Sequence, residues 1–216
     1  QYAMSKRGRV MVEFTSPSPT EEHHVTLTAV EQCFVRGGTW SANPNPDGDI
    51  FCKNDTDPDV DRMGLTRFDL SSVTGSIVQA TLVVNVSTAS GQPLDIAVRE
   101  LPEDTWTQGV VTWDLITPQF GPTISTFTVN VNGPQIYEVD VTAYIVAEAA
   151  GDKLASIAFA SLTEANKYIK VGSNCSLKIT WEETVHTEEE VAVLPRGVRV
   201  IPYVRSRNQT TGGFTW

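Results

Sequence analysis

Trp106-Thr107-Gln108-Gly109-Val110-Val111-Thr112-Trp113 is the stretch whose reading decides the fold. Two indoles enclose a short run of Val and Thr around Gly109. Large aromatics in such a setting are strand-end core anchors that pin a crossover, a reading that takes precedence over a sugar-stacking platform. Thr66-Arg67-Phe68-Asp69-Leu70 stands upstream and Tyr137-Glu138-Val139-Asp140-Val141-Thr142-Ala143-Tyr144 downstream.

Working outward, Leu65 to Leu70, Ile77 to Val86, Leu94 to Glu100, Ile124 to Val131 and Ile136 to Val139 have strand length and composition. Thr74-Gly75, Ser90-Gly91-Gln92-Pro93 and Asn132-Gly133-Pro134 separate them as turns. Leu154 to Ala160, Tyr168 to Val171 and Leu177 to Trp181 continue the series, and Val25 to Ala29 opens it. Evenly spaced strands predict an all-β jelly-roll sandwich. One short helix is expected where Asp140 or Thr142 caps a run through Ala143, Ile145, Val146 and Ala149, with Gly151 placed to end it. Gly37 to Asp61 reads as one long loop.

The expected division is an N-terminal extension, residues 1–23, a sandwich, residues 24–183, and a C-terminal extension, residues 184–216. Val10 to Phe14 reads as a strand before a Ser/Pro linker. Val198, Val200 and Val204 line another, which Pro202 confines to an edge.

The chain has 216 residues, 40% hydrophobic and 19% charged, which describes a globular protein. A formal charge of -10 with no Lys/Arg run excludes a nucleic-acid role, because phosphate binding needs a basic footprint. The longest apolar runs fall short of a membrane span. A start at Gln1 without Met suits a mature chain left after cleavage, so a secreted, extracellular or cell-surface location is expected. Four glycosylation sequons, at Asn54, Asn85, Asn174 and Asn208, point the same way. Cys33 and Cys52 flank a Gly/Pro/Asp-rich loop and could close it with a disulfide, leaving Cys175 free or paired between chains; three buried thiols are the competing reading.

The ordered succession of motifs resembles the DNRLRE domain family and the related family-96 carbohydrate-binding modules. The matching pieces are Cys33-Phe34-Val35-Arg36-Gly37-Gly38, Arg67-Phe68-Asp69-Leu70-Ser71-Ser72 with Ile77-Val78-Gln79-Ala80-Thr81-Leu82, and Trp106-Thr107 with Val111-Thr112-Trp113. Asp140-Val141-Thr142 and Leu177-Lys178-Ile179-Thr180-Trp181 complete the set. The resemblance covers roughly residues 24–183 and implies a noncatalytic, secreted or surface-attached jelly roll. The chain departs from the family at Gln32, where an acidic residue is usual, and in the aspartates of its loop from Thr39 to Asp61.

Among chemistry-bearing residues, Trp40 is the better stacking candidate because it sits in the irregular loop. Arg36, Arg62, Lys167, Tyr168 and Lys170 are candidates for an anionic glycan, since cations on an acidic protein would select uronate or sulfate through charge-assisted hydrogen bonds. The competing reading is scattered surface charge. Asp55, Asp57, Asp59 and Asp61 alternate along one segment, first as a solvated acidic loop and second as a structural calcium site. The EF-hand pattern is absent, Val60 and Thr66 standing at its Gly and Glu positions. Asp69 and Asp140 read as structural, with Arg67 and helix-start amides as natural partners.

No cofactor is expected beyond that calcium. His23, His24 and His186 lack metal spacing, no nucleophile elbow occurs, and Glu100, Glu103 and Asp104 give no sign of the separation that glycoside cleavage needs. The expected function is therefore noncatalytic: binding of an acidic or cell-wall polysaccharide. The alternative is a structural subunit of an extracellular filament, appendage or adhesive layer, with Arg9 to Phe14 and Val198 to Val204 adding strands to neighbouring copies.

Overall fold

Ala80, Leu82, Val84 and Val86 are buried at every second position of one long strand while Thr81, Val83, Asn85 and Ser87 are not, the period that half-buries a strand. The computed structural model describes residues 2–4, 10–12, 19–45, 48–91, 93–163, 167–172 and 175–185. Among these the strands are β1 (Tyr2–Met4), β2 (Val10–Val12), β3 (Thr20–Thr28), β4 (Glu31–Arg36), β5 (Ile50–Lys53), β6 (Arg62–Asp69) and β7 (Ser76–Ser90). Then follow β8 (Leu94–Glu100), helix α1 (Trp113–Ile116), β9 (Thr123–Val129), β10 (Gln135–Asp140), helix α2 (Thr142–Ala150), β11 (Leu154–Ser161), β12 (Tyr168–Val171) and β13 (Ser176–Thr184).

Residues 22–182 form one unit, and residues 1–21 with 183–216 another. In the smaller unit β1 and β2 pair antiparallel, Tyr2 opposite Val12 and Met4 opposite Val10. The strand offered to a neighbouring copy thus has one edge taken within its own chain. Val198 to Val204 lies outside the described residues.

The larger unit is an all-β sandwich made from one curled antiparallel sheet. The hydrogen-bonded order is β3-β13-β7-β12-β5-β6-β11-β8-β9, with β10 on the other edge of β7 and β4 on β6. β12 and β13 lie end to end along one edge of β7, Val171 opposite Val86 and Ser176 opposite Val83. Next to Val171, the Gly172 N–H bonds to the Asn85 carbonyl at 2.8 Å. The main core lies between the layers and includes Phe68, Leu82, Leu94, Ile96, Ile157, Phe159 and Ile169.

A second cluster explains the opening motif. Trp106, Leu101, Val111 and Ile116 cover Cys33, Val35, Leu65 and Ala158 on the other face of β4, β6 and β11. β11 is consequently buried at every position from Ala155 to Ser161, the pattern of a strand covered on both faces. Trp106 is a core anchor, 4% exposed, and its indole N–H donates to Ser156 Oγ at 3.0 Å.

Three expectations need correction. Beside the predicted helix α2 stands a second, α1: the Thr112 hydroxyl accepts the Leu115 N–H at 3.3 Å, and that cap starts one turn. The segment from Gly37 to Asp61 is not one loop, because β5 and two single 3-10 turns, Gly38–Trp40 and Pro58–Val60, lie inside it. Arg67 does not pair with Asp69: its guanidinium donates to the carbonyls of Asp104 and Trp106, while Asp69 accepts the Ser71 N–H at 2.8 Å. Asp140 does take the helix-start groups, the N–H and hydroxyl of Thr142 at 2.9 and 2.6 Å.

Candidate functional site

Cross-strand register assembles one cationic and aromatic face from β4, β5, β6 and β12. Arg36 is opposite Arg62, Arg62 opposite Lys53, Lys53 opposite Tyr168, and Phe51 opposite Lys170. Directly opposed residues share a face and lie within side-chain reach. Phe34 and Phe51 meet edge to face at 5.7 Å, and Phe51 and Tyr168 at 5.2 Å. Lys170 is exposed, and its Nζ lies 5.4 Å from the Phe51 ring centroid, a cation held over an aromatic surface. Lys53, in contrast, is shielded and paired with Asp55 at 3.2 Å.

The other end of the face is the turn Gly38–Trp40. Trp40 is 48% exposed, and the Arg36 guanidinium lies 5.2 Å from its ring centroid. Arg36 Nε is buried without a hydrogen-bond partner. Arg62 donates to the main-chain carbonyls of Asp59 and Asp61 at 3.0 and 2.6 Å. Burial first, and the neighbouring Arg36 charge second, lower the pKa of Arg62. Two guanidinium groups are thus held side by side, an arrangement that favours an anion. One exposed indole, three half-buried rings and neighbouring N–H donors together suit a ligand with apolar C–H faces and acidic or hydroxyl groups.

The sequence candidates divide accordingly. Arg36, Trp40 and Arg62 converge at one end, and Tyr168 and Lys170 meet around Phe51. Lys167 instead donates to the Pro93 carbonyl at 3.3 Å and buttresses the turn at Gly91. Phe34 and Phe51 were not singled out from sequence. Phe51 sits in the segment read as loop, and the usable signal was Phe51 and Lys53 alternating around buried Cys52.

The aspartate segment is engaged with its own backbone. Asp55 accepts the Asp57 N–H at 3.3 Å, Asp57 the Asp59 N–H at 3.0 Å, Asp59 the Thr39 N–H at 2.6 Å and Asp61 the Asp55 N–H at 2.7 Å. Among the described residues, carboxylates gather elsewhere: ligand atoms of Asp104, Glu148 and Asp152 lie within 4.8 Å of one another. Burial and the hydrogen bond and charge of Asp152 raise the Asp104 pKa. Burial and the charges of Asp152 and Asp104 raise that of Glu148. Glu103 accepts the Thr105 N–H at 2.9 Å.

The disulfide expectation is also corrected, since all three cysteines are free and buried. Cys33 belongs to the second cluster and Cys52 to the main core, so their side chains pack into different clusters. Burial pushes each of the thiols of Cys33, Cys52 and Cys175 up to about 12. Of the sequons, Asn54 and Asn85 are half-buried, and Asn174 and Asn208 lie outside the described residues. Among the described residues no helix is long and apolar enough to cross a membrane.

The model of carbohydrate-binding module family 96 matches residues 23–178 of the chain. No curated protein matches it.

Proposed function

The chain belongs to carbohydrate-binding module family 96, and from that premise we propose that it is a noncatalytic extracellular module binding an acidic polysaccharide through the face between Trp40 and Lys170. The observation that carries this reading is the Arg36 and Arg62 pair beside an exposed Trp40, with one buried guanidinium nitrogen lacking a partner. On a chain of formal charge -10, a local cluster of cations is a selective feature. Trp40 would stack on the C–H face of a sugar ring, Arg36 and Arg62 would take its acidic groups, and Tyr168 and Lys170 would hold the next residues of the polymer.

Affinity electrophoresis through gels containing polygalacturonate or neutral xylan tests it. Polygalacturonate should retard the protein, xylan should not, and the retardation should shrink as sodium chloride rises. Trp40→Ala and Lys170→Ala should each weaken binding by about tenfold, the scale of one lost anchor. No retardation by polygalacturonate, or unchanged retardation of both variants, would reject the reading.

A further inference from the structure

The alternating aspartates accept hydrogen bonds from the backbone of their own loop and of the Trp40 turn. Gly38 has φ +59°, and a Cβ there would stand 2.0 Å from Asp59 Oδ1 and 2.6 Å from its Cα and N. The turn bearing Trp40 is therefore closed directly onto Asp59, at a position that only glycine fits. The Asp59 carboxylate accepts the Thr39 N–H at 2.6 Å, a charge-assisted bond to the residue before the stacking indole. The Asp59 carbonyl in turn accepts from Arg62 at 3.0 Å. Asp57 fixes Asp59 by accepting its N–H at 3.0 Å, and the Gly37 N–H reaches the Asp61 carbonyl at 3.1 Å.

We infer that Asp59 is the positioning residue of this face: its carboxylate holds the Trp40 turn and its main chain holds the Arg62 guanidinium, so one residue sets the spacing between ring and cation. The inference rests on the binding reading for its consequence, but the positioning itself is measurable without ligand. Asp59 acts through Thr39 and Arg62. Asparagine at this position keeps an acceptor oxygen for the Thr39 N–H, whereas alanine keeps none.

The full chain labelled with 5-fluorotryptophan has five tryptophans, and Trp40→Phe identifies the Trp40 fluorine signal. In Asp59→Ala that signal should move or broaden by more than its linewidth while those of Trp106 and Trp181, which pack in the two cores, stay in place. Asp59→Asn should restore it, and Gly38→Ala should displace it as Asp59→Ala does. Polygalacturonate affinity should fall about tenfold in Asp59→Ala, the cost of ordering a loosened loop on binding, and return in Asp59→Asn. An unmoved Trp40 signal in Asp59→Ala overturns the inference, as does a change shared by every tryptophan. Absence of polygalacturonate binding by the unmodified chain would instead reject the binding reading, while the fluorine signals still decide the positioning.

Discussion

The Arg67 guanidinium lies 5.3 Å from the Trp106 ring centroid and donates to that residue's own carbonyl at 2.6 Å. One side chain thus secures both the ring and the main chain of the segment that covers the second cluster. Trp106→Ala should destabilise the protein by about 3–5 kcal/mol, from lost burial and the cavity left behind. Arg67→Lys should cost about 1–3 kcal/mol, because one compact ammonium cannot serve both carbonyls, face Glu31 and lie over the indole at once. Urea midpoints measure both. A Trp106→Ala loss below 1 kcal/mol would contradict the anchor role.

Gln32 ties two segments together from a buried position. Its amide donates to the Gly48 carbonyl at 2.6 Å and accepts the Cys175 N–H at 3.3 Å. The acidic residue usual in the family would lose the donor and bury a charge. Gln32→Glu should cost about 1–3 kcal/mol at neutral pH and less under acid conditions, where the carboxyl regains a proton to donate. Denaturant unfolding at two pH values checks this, and an equally stable variant at neutral pH would refute it.

The thiols should be inert in the native state. With each pKa pushed up to about 12 by burial, thiolate is scarce at neutral pH and reagent has no access. Ellman's reagent should find no reactive thiol in native protein and all three of the sequence's cysteines in denaturant without reductant. Dithiothreitol should leave the melting temperature unchanged.

Glu148 gives the stability a pH dependence. A carboxyl whose pKa is raised on folding stabilises the fold while protonated and loses that contribution as pH rises through the folded value. Glu148 and Asp104 are of this kind. Asp152, lowered chiefly by the Leu154 N–H, contributes above its unfolded pKa and loses that contribution as pH falls. Glu148→Gln should therefore raise the melting temperature at neutral pH by about 1–3 °C, with 1 kcal/mol worth roughly 2–4 °C at this size. The gain should vanish near about pH 4, where the native side chain is itself neutral. Calorimetry across that range decides it, and a variant less stable at neutral pH would contradict the assignment.

The fold was legible where burial enforces a period. β7 and β11 announce themselves because one or both faces must be apolar, and helix α2 because Asp140 and Gly151 bracket it. α1 was not legible, since one capped turn leaves no period to read. Most of the candidate face could be named in advance. Arg36, Trp40, Arg62, Tyr168 and Lys170 were candidates by charge, ring and loop position, but their convergence depends on the pairing of β5 with β12 and β6, which no local pattern encodes. Phe34 and Phe51 look like core residues until register places them beside Tyr168. For the aspartates, alternation shows where carboxylates are, and only the fold shows which backbone amides they accept from.

β3 and β13 also lie side by side, with the Ala29 N–H on the Cys175 carbonyl at 3.3 Å and the Val185 N–H on the Pro19 carbonyl at 2.9 Å. Those two bonds fix an antiparallel pairing, so the sandwich takes in the chain and lets it out at neighbouring points of a single edge. Traction applied between those points opens the rungs of that ladder one after another, since antiparallel bonds lie across the strand direction. A tethered domain would then yield first by peeling at that edge.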